Sequence, residues 1–98
     1  MRLTDDERLC IAKLQELAPS QCALDFVVEG AVAGVAQYGH LDLASERRDM
    51  ALEIAQEARD MAFYAGVGMA LAEDDTEFRE LAKLALEATR RALALVRR

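Results

Sequence analysis

The sequence predicts an all-α chain, a bundle of about four helices completed by oligomerisation. Three observations lead there. Ala and Leu dominate the apolar residues, while β-branched and aromatic residues are scarce, a balance that favours helix over sheet. Apolar residues recur at helical spacing, and no segment alternates as a half-buried strand does. Pro, Gly and short acidic clusters then divide the chain into helix-length pieces. At 98 residues there is room for a single domain, residues 1–98, whose modest core gains from an oligomer interface.

The first helix opens at Thr4-Asp5-Asp6-Glu7, a capping-box pattern in which hydroxyl and carboxylate satisfy free backbone N–H groups. Its apolar residues Leu9, Ile11, Leu14 and Leu17 run on to Pro19, which stops it. Ser20 caps the second helix, which extends to about Gln37. From Cys22 to Ala36 its only charged side chains are Asp25 and Glu29, four residues apart and so on one face. A helix apolar almost all round belongs in the middle of a bundle or in an oligomer interface. Tyr38 to Leu43 is a linker, with Gly39 placed to end the helix in a left-handed conformation. Asp42 or Ser45 then caps a long third helix reaching about Ala72. Glu73-Asp74-Asp75-Thr76 makes the next break, and the fourth helix buries Phe78, Leu81, Ala82, Ala85, Ala88, Ala92 and Val96.

Composition excludes several functions. A net charge of −6 argues against broad nucleic-acid binding, which needs an excess of Lys and Arg. No apolar run reaches the ~18 residues of a membrane span. The acidic start is unlike a signal or transit peptide, so the expected location is cytoplasmic. Cys10 and Cys22 match no zinc spacing and read as small buried thiols. His40 reads as a turn residue, and Arg90, Arg91, Arg97 and Arg98 as complements to a helix dipole, with phosphate contact the alternative.

The informative feature is carboxylate placement. At ~100° per residue, Asp49, Glu53, Glu57, Asp60 and Tyr64 of the third helix fall in a stripe ~80° wide. If that row faces Asp25 and Glu29 on the preceding helix, up to six carboxylates converge, and a divalent cation relieves their repulsion. All-oxygen ligands suit Mg²⁺ or Mn²⁺, and Mg²⁺ bound by a few carboxylates keeps waters and takes substrate phosphates. The chemistry this suggests is metal-assisted attack of water on phosphorus, with one carboxylate as general base. A solvated helix face explains the same row, with Arg47, Arg48 and Arg59 as its ion-pair partners. Tyr64 stands where it can stack on a base, bond a carboxylate or pack in the bundle.

At these residues the chain resembles a known family. Tyr38-Gly39-His40-Leu41-Asp42-Leu43, Arg48-Asp49-Met50, Glu53, Glu57-Ala58-Arg59-Asp60 and Phe63-Tyr64 are similar to small MazG-like proteins, many of them phage-encoded, relatives of the all-α nucleoside triphosphate pyrophosphohydrolases. The resemblance spans roughly residues 21 to 72. It implies a MazG-like bundle assembled as a dimer or tetramer, with E-x-x-E on one helix and E-x-x-D on a later one holding Mg²⁺. Glu57 and Asp60 match the second motif, and Glu29 fits the second acid of the first. The first acid is displaced: Phe26 stands three residues before Glu29, and Asp25 four before it. The resemblance thus implies Glu29, Glu57 and Asp60 as metal ligands and release of pyrophosphate from a nucleoside triphosphate; by position, outside the family motif, Glu53 and Asp25 are accessory ligands or base. The alternative is a non-catalytic helical oligomer that binds a nucleotide or a partner protein.

Overall fold

A computed structural model describes residues 2–73 and 75–96. Among these residues the fold is all-helical, with four α-helices: α1 (Asp5–Gln15), α2 (Gln21–Tyr38), α3 (Met50–Leu71) and α4 (Thr76–Leu95). A single 3₁₀ turn, Leu43–Ser45, lies between α2 and α3. Among the described residues there is no strand, and no helix is long and apolar enough to cross a membrane. The chain divides into two compact units, residues 1–46 and 47–98.

The first unit packs α1 on α2. The predicted capping box is present: Glu7 N–H donates to Thr4 Oγ1 at 3.3 Å, and Thr4 N–H donates to Glu7 Oε1 at 2.8 Å. The helix stops at Gln15, earlier than Pro19 requires, because Leu17 and Ala18 N–H both turn back to the Leu14 carbonyl. Ser20 caps α2 as expected, its hydroxyl accepting from Ala23 N–H. Gly39 ends α2 at φ 87°, but ψ 176° puts it in a mirror-extended conformation rather than the compact left-handed one. Leu24 and Val35 are buried here. Cys10 is only half-buried and Cys22 is exposed, which corrects the buried-thiol reading: among its described residues the first unit buries Glu7, Leu24 and Val35 alone.

The second unit is a hairpin of α3 on α4. The third helix begins at Met50, not after Asp42 or Ser45, because Asp49 caps it by accepting from Ala51 and Leu52 N–H. Asp42 caps only the short 3₁₀ turn, through Ala44 N–H. In α4, Asp75 is the cap, taking Glu77 N–H at 2.9 Å and Phe78 N–H at 3.3 Å. The hairpin core is alanine: Ala55, Ala58 and Ala65 from α3, with Ala82, Ala85 and Ala92 from α4. Small side chains let the two helices approach closely, so the neighbouring large residues are pushed to the edges of the contact. Phe78 and Leu81, predicted buried, are partly exposed for that reason, and Ala88 and Val96 are half-buried. Phe78 has one tight seat. A Cβ built on Gly68 would stand 2.6 Å from its Cγ and Cε1, so only a glycine leaves room for this ring.

Candidate functional site

Glu53, Glu57, Asp60 and Tyr64 lie at i, i+4, i+7 and i+11 on α3, a stripe ~60° wide on its surface. Glu53 is half-buried and the other two acids are exposed. Among the described residues the Glu53 and Glu57 side chains make no hydrogen bond or ion pair, whereas Asp60 Oδ1 pairs with Arg59 Nε at 3.3 Å. Asp49 leaves the row, since its carboxylate is taken up in capping. Asp25 and Glu29 belong to the first unit, one turn apart on α2, and Asp25 accepts from Gln21 Nε2 at 2.8 Å.

Helix geometry limits what this row can do alone. Seven residues at ~1.5 Å rise span ~10 Å, so Glu53 and Asp60 cannot share one ion. Glu57 and Asp60, one turn apart with Cβ atoms ~5–6 Å distant, can. The helix thus offers a two-carboxylate half-site, and among the described residues no group of three or more His, Cys, Asp or Glu is placed to hold a metal ion. For Mg²⁺ that is a partial fit: hard oxygen donors of the right kind, with the remaining positions left to water, phosphate or other carboxylates.

Beside the row is a recess of about 340 Å³ lined by Arg59, Asp60, Phe63 and Tyr64. Its walls are two i, i+4 pairs, Arg59 with Phe63 and Asp60 with Tyr64. Both rings are 72% exposed, unusual for aromatic side chains. A cation, an anion and two aromatic surfaces in one recess can hold a flat, polar-edged ring. Sequence reasoning found Tyr64 but not Phe63, whose role depends on the groove between two rows of side chains.

A second polar cluster ties the first unit together, and it too was missed. Glu7, 5% exposed, uses its carboxylate for more than the capping box. Oε2 accepts Leu41 N–H at 2.8 Å, and His40 Nδ1 stands 3.1 Å away. Next to it, Asp6 accepts Leu43 N–H at 2.9 Å. Burial acts to raise the Glu7 pKa, but the N–H groups of Thr4 and Leu41 and the His40 ring outweigh it and hold the value at about 2. His40 is thus a partner of a buried acid, not a bare turn residue. Glu87 is held near the same value, about 2, by its hydrogen bonds to Arg90 and Arg91. Those arginines are bound to Glu87 and lie before the last turn of α4, which corrects their reading as dipole complements. Arg97, Arg98 and Asp74 lie outside the described residues.

No protein-family model, curated protein or solved structure matches the chain. Function therefore rests on the residues themselves.

Proposed function

We propose that the acidic face of α3 is the metal-holding half of a Mg²⁺- or Mn²⁺-dependent protein like the nucleoside triphosphate pyrophosphohydrolases. The observation that supports this reading is the unneutralised state of Glu53 and Glu57, which have no ion-pair partner among the described residues although Arg59 stands on the same helix. Like charges one turn apart cost a few tenths of a kcal/mol each, about 0.2–0.5, unless a cation lies between them. In this reading Glu57 and Asp60 hold the ion, with the remaining positions left to water, phosphate or further carboxylates. Glu53 serves as base or accessory ligand, and Tyr64 stacks on the nucleotide base in the recess it shares with Phe63. When bound, Mg²⁺ would supply positive charge to a phosphoryl oxygen and make a water it holds more acidic. Glu53, as base, would accept a proton from the water that attacks phosphorus, with pyrophosphate as the leaving group. The protein works as a dimer or tetramer in the cytoplasm.

The second reading is a non-catalytic helical oligomer that binds a nucleotide or a partner protein. It is favoured by the want of a three-ligand group among the described residues. A thermal-unfolding titration with Mg²⁺ and Mn²⁺ separates the two, run on wild type and Asp60→Asn together. A metal at ~100 times its dissociation constant stabilises the folded state by ~2.7 kcal/mol, several degrees for a chain of this size. The enzyme reading expects a shift in wild type only, and loss of pyrophosphate release from triphosphates in Glu57→Gln with the fold intact. If millimolar metal shifts neither protein, the acidic row is a solvated face and the second reading replaces the first.

A further inference from the structure

We propose that His40 and Glu7 form a reactive dyad, in which Nε2 of His40 is a nucleophile toward neutral activated acyl donors and Glu7 is its positioning residue. The dyad lies wholly within the first unit and does not rest on the metal reading.

The inference starts from a tautomer. Glu7 Oε1 accepts Thr4 N–H at 2.8 Å, and Oε2 accepts Leu41 N–H at 2.8 Å. Both oxygens also face His40 Nδ1, at 3.2 and 3.1 Å. A carboxylate that takes two backbone N–H groups is an acceptor only, so Nδ1 is the nitrogen that carries the proton. In the neutral ring Nε2 then holds the lone pair. Among the described residues Nε2 makes no hydrogen bond, and about half of the side chain meets solvent, whereas Glu7 is buried. Donation of one ring N–H to a carboxylate makes the other nitrogen of an imidazole more basic. Glu7 stays charged at neutral pH, since its N–H partners hold its pKa at about 2.

Position is fixed as well as protonation. His40 and Leu41 are adjacent, and the ring of one and the amide of the other grip the same carboxylate. Further along the loop, Asp6 holds Leu43 N–H at 2.9 Å, and Asp42 engages Ala44 N–H and the Ser45 hydroxyl. A ring held on a pinned loop has little freedom left to lose when a reactant meets it.

Charge selects the reactant. Glu7, Asp6 and Asp42 gather acidic charge at this loop, in a chain of net charge −6. They repel phosphate and carboxylate donors, but not a neutral ester or pyrocarbonate, and they stabilise positive charge developing on the ring. With an ester, the Nε2 lone pair forms a bond to the carbonyl carbon. The bond from that carbon to the leaving oxygen breaks, and the oxygen departs with the electron pair. The acylated ring is cationic and keeps its Nδ1–H on the Glu7 carboxylate. Water then adds to the acyl carbon and gives a proton to solvent, the bond to Nε2 breaks, and a carboxylic acid leaves the neutral ring.

The test uses the full chain with a chelator present. His40 is the only histidine, so imidazole signals have one source. The release of p-nitrophenolate from p-nitrophenyl acetate that is lost in His40→Gln should be roughly tenfold faster per ring than release by N-acetylhistidine at the same pH, as expected when the hydrogen bond to Glu7 becomes charge-assisted during attack. Diethyl pyrocarbonate, whose product on imidazole is stable, should modify His40 faster than N-acetylhistidine by a similar factor. Nitrogen-15 NMR of the wild type should show Nδ1 protonated and Nε2 bare in the neutral ring, without any substitution. Glu7→Gln should lose the enhancement, and a variant that keeps it removes Glu7 from the dyad. Rates no faster than those of N-acetylhistidine, or a proton on Nε2, overturn the proposal. Because no metal or triphosphate enters these measurements, their failure is distinguishable from failure of the enzyme reading.

Discussion

Replacing Gly68 by alanine sets two effects against each other at one atom. In a helix interior alanine is favoured over glycine by up to ~1 kcal/mol, since it loses less backbone freedom on folding. Gly66, two residues earlier on α3, shows that effect unopposed, because a methyl group added there meets nothing within 4 Å. At Gly68 the new methyl would stand 2.6 Å from Cγ and Cε1 of Phe78. Carbon atoms prefer ~3.5–4.0 Å, so the ring must move by about an ångström. The contact includes Cγ, at the root of the ring, and a rotation about the outer torsion cannot clear it. Forcing extra volume into a formed contact costs typically ~1–3 kcal/mol. The two substitutions should therefore differ by about 1–3 kcal/mol, with Gly66→Ala stabilising and Gly68→Ala neutral to destabilising. For a chain of this length ~1 kcal/mol moves the midpoint by ~4–8 °C, so thermal unfolding at one fixed protein concentration resolves the difference. Phe78→Leu in the Gly68→Ala background should recover part of the loss, giving a non-zero coupling energy in the double-mutant cycle. If Gly68→Ala raises the midpoint as much as Gly66→Ala, the ring does not sit on Gly68 and the explanation for this glycine is wrong.

Two further predictions concern ionisation and exposure. Glu7 has a folded pKa of about 2 against an ordinary 4.5, so its ionised form is the one the fold favours. The stability it contributes is therefore complete above pH ~4.5 and lost as pH falls toward 2. Thermal midpoints of wild type and Glu7→Gln should be far apart at pH 6 and converge at pH 2, and a constant gap would refute the assignment. Glu87, half-buried beside the exposed Arg90 and Arg91, should lose most of its influence in high salt, whereas Glu7 should not. Cys22, exposed on α2, should react with a thiol reagent in the folded protein at once, and half-buried Cys10 with a lag. Equal slow rates for both would restore the buried-thiol reading.

What was legible in the sequence was mostly local. Thr4 with Glu7, and Ser20 before α2, declare helix starts because the cap and its N–H partners lie within three residues of each other. The start of α3 was misread because Asp42, Ser45 and Asp49 all carry the same capping chemistry, and only the 3₁₀ turn distinguishes them. Periodicity also placed Glu53, Glu57, Asp60 and Tyr64 on one face. It could not say which faces are covered: Phe78 and Leu81 share a side with Ala82 and Ala85, yet the alanines take the close contact. The recess at Phe63 and the clamp on Glu7 were beyond reach for another reason. One needs the groove between two side-chain rows, and the other needs partners 33 and 34 residues away.

That clamp has a consequence for how the first unit opens. A capping box normally frays with its own helix and nothing else. Here the carboxylate that secures the start of α1 also anchors the Leu41 amide, and its neighbour Asp6 anchors Leu43. Unwinding the first turn of α1 would strand the loop's amides, and pulling the loop away would leave a buried carboxylate short of donors. Neither event is cheap without the other. The first turn of α1 and the loop after Gly39 should therefore exchange their amide hydrogens as one cooperative element, despite lying more than thirty residues apart along the chain.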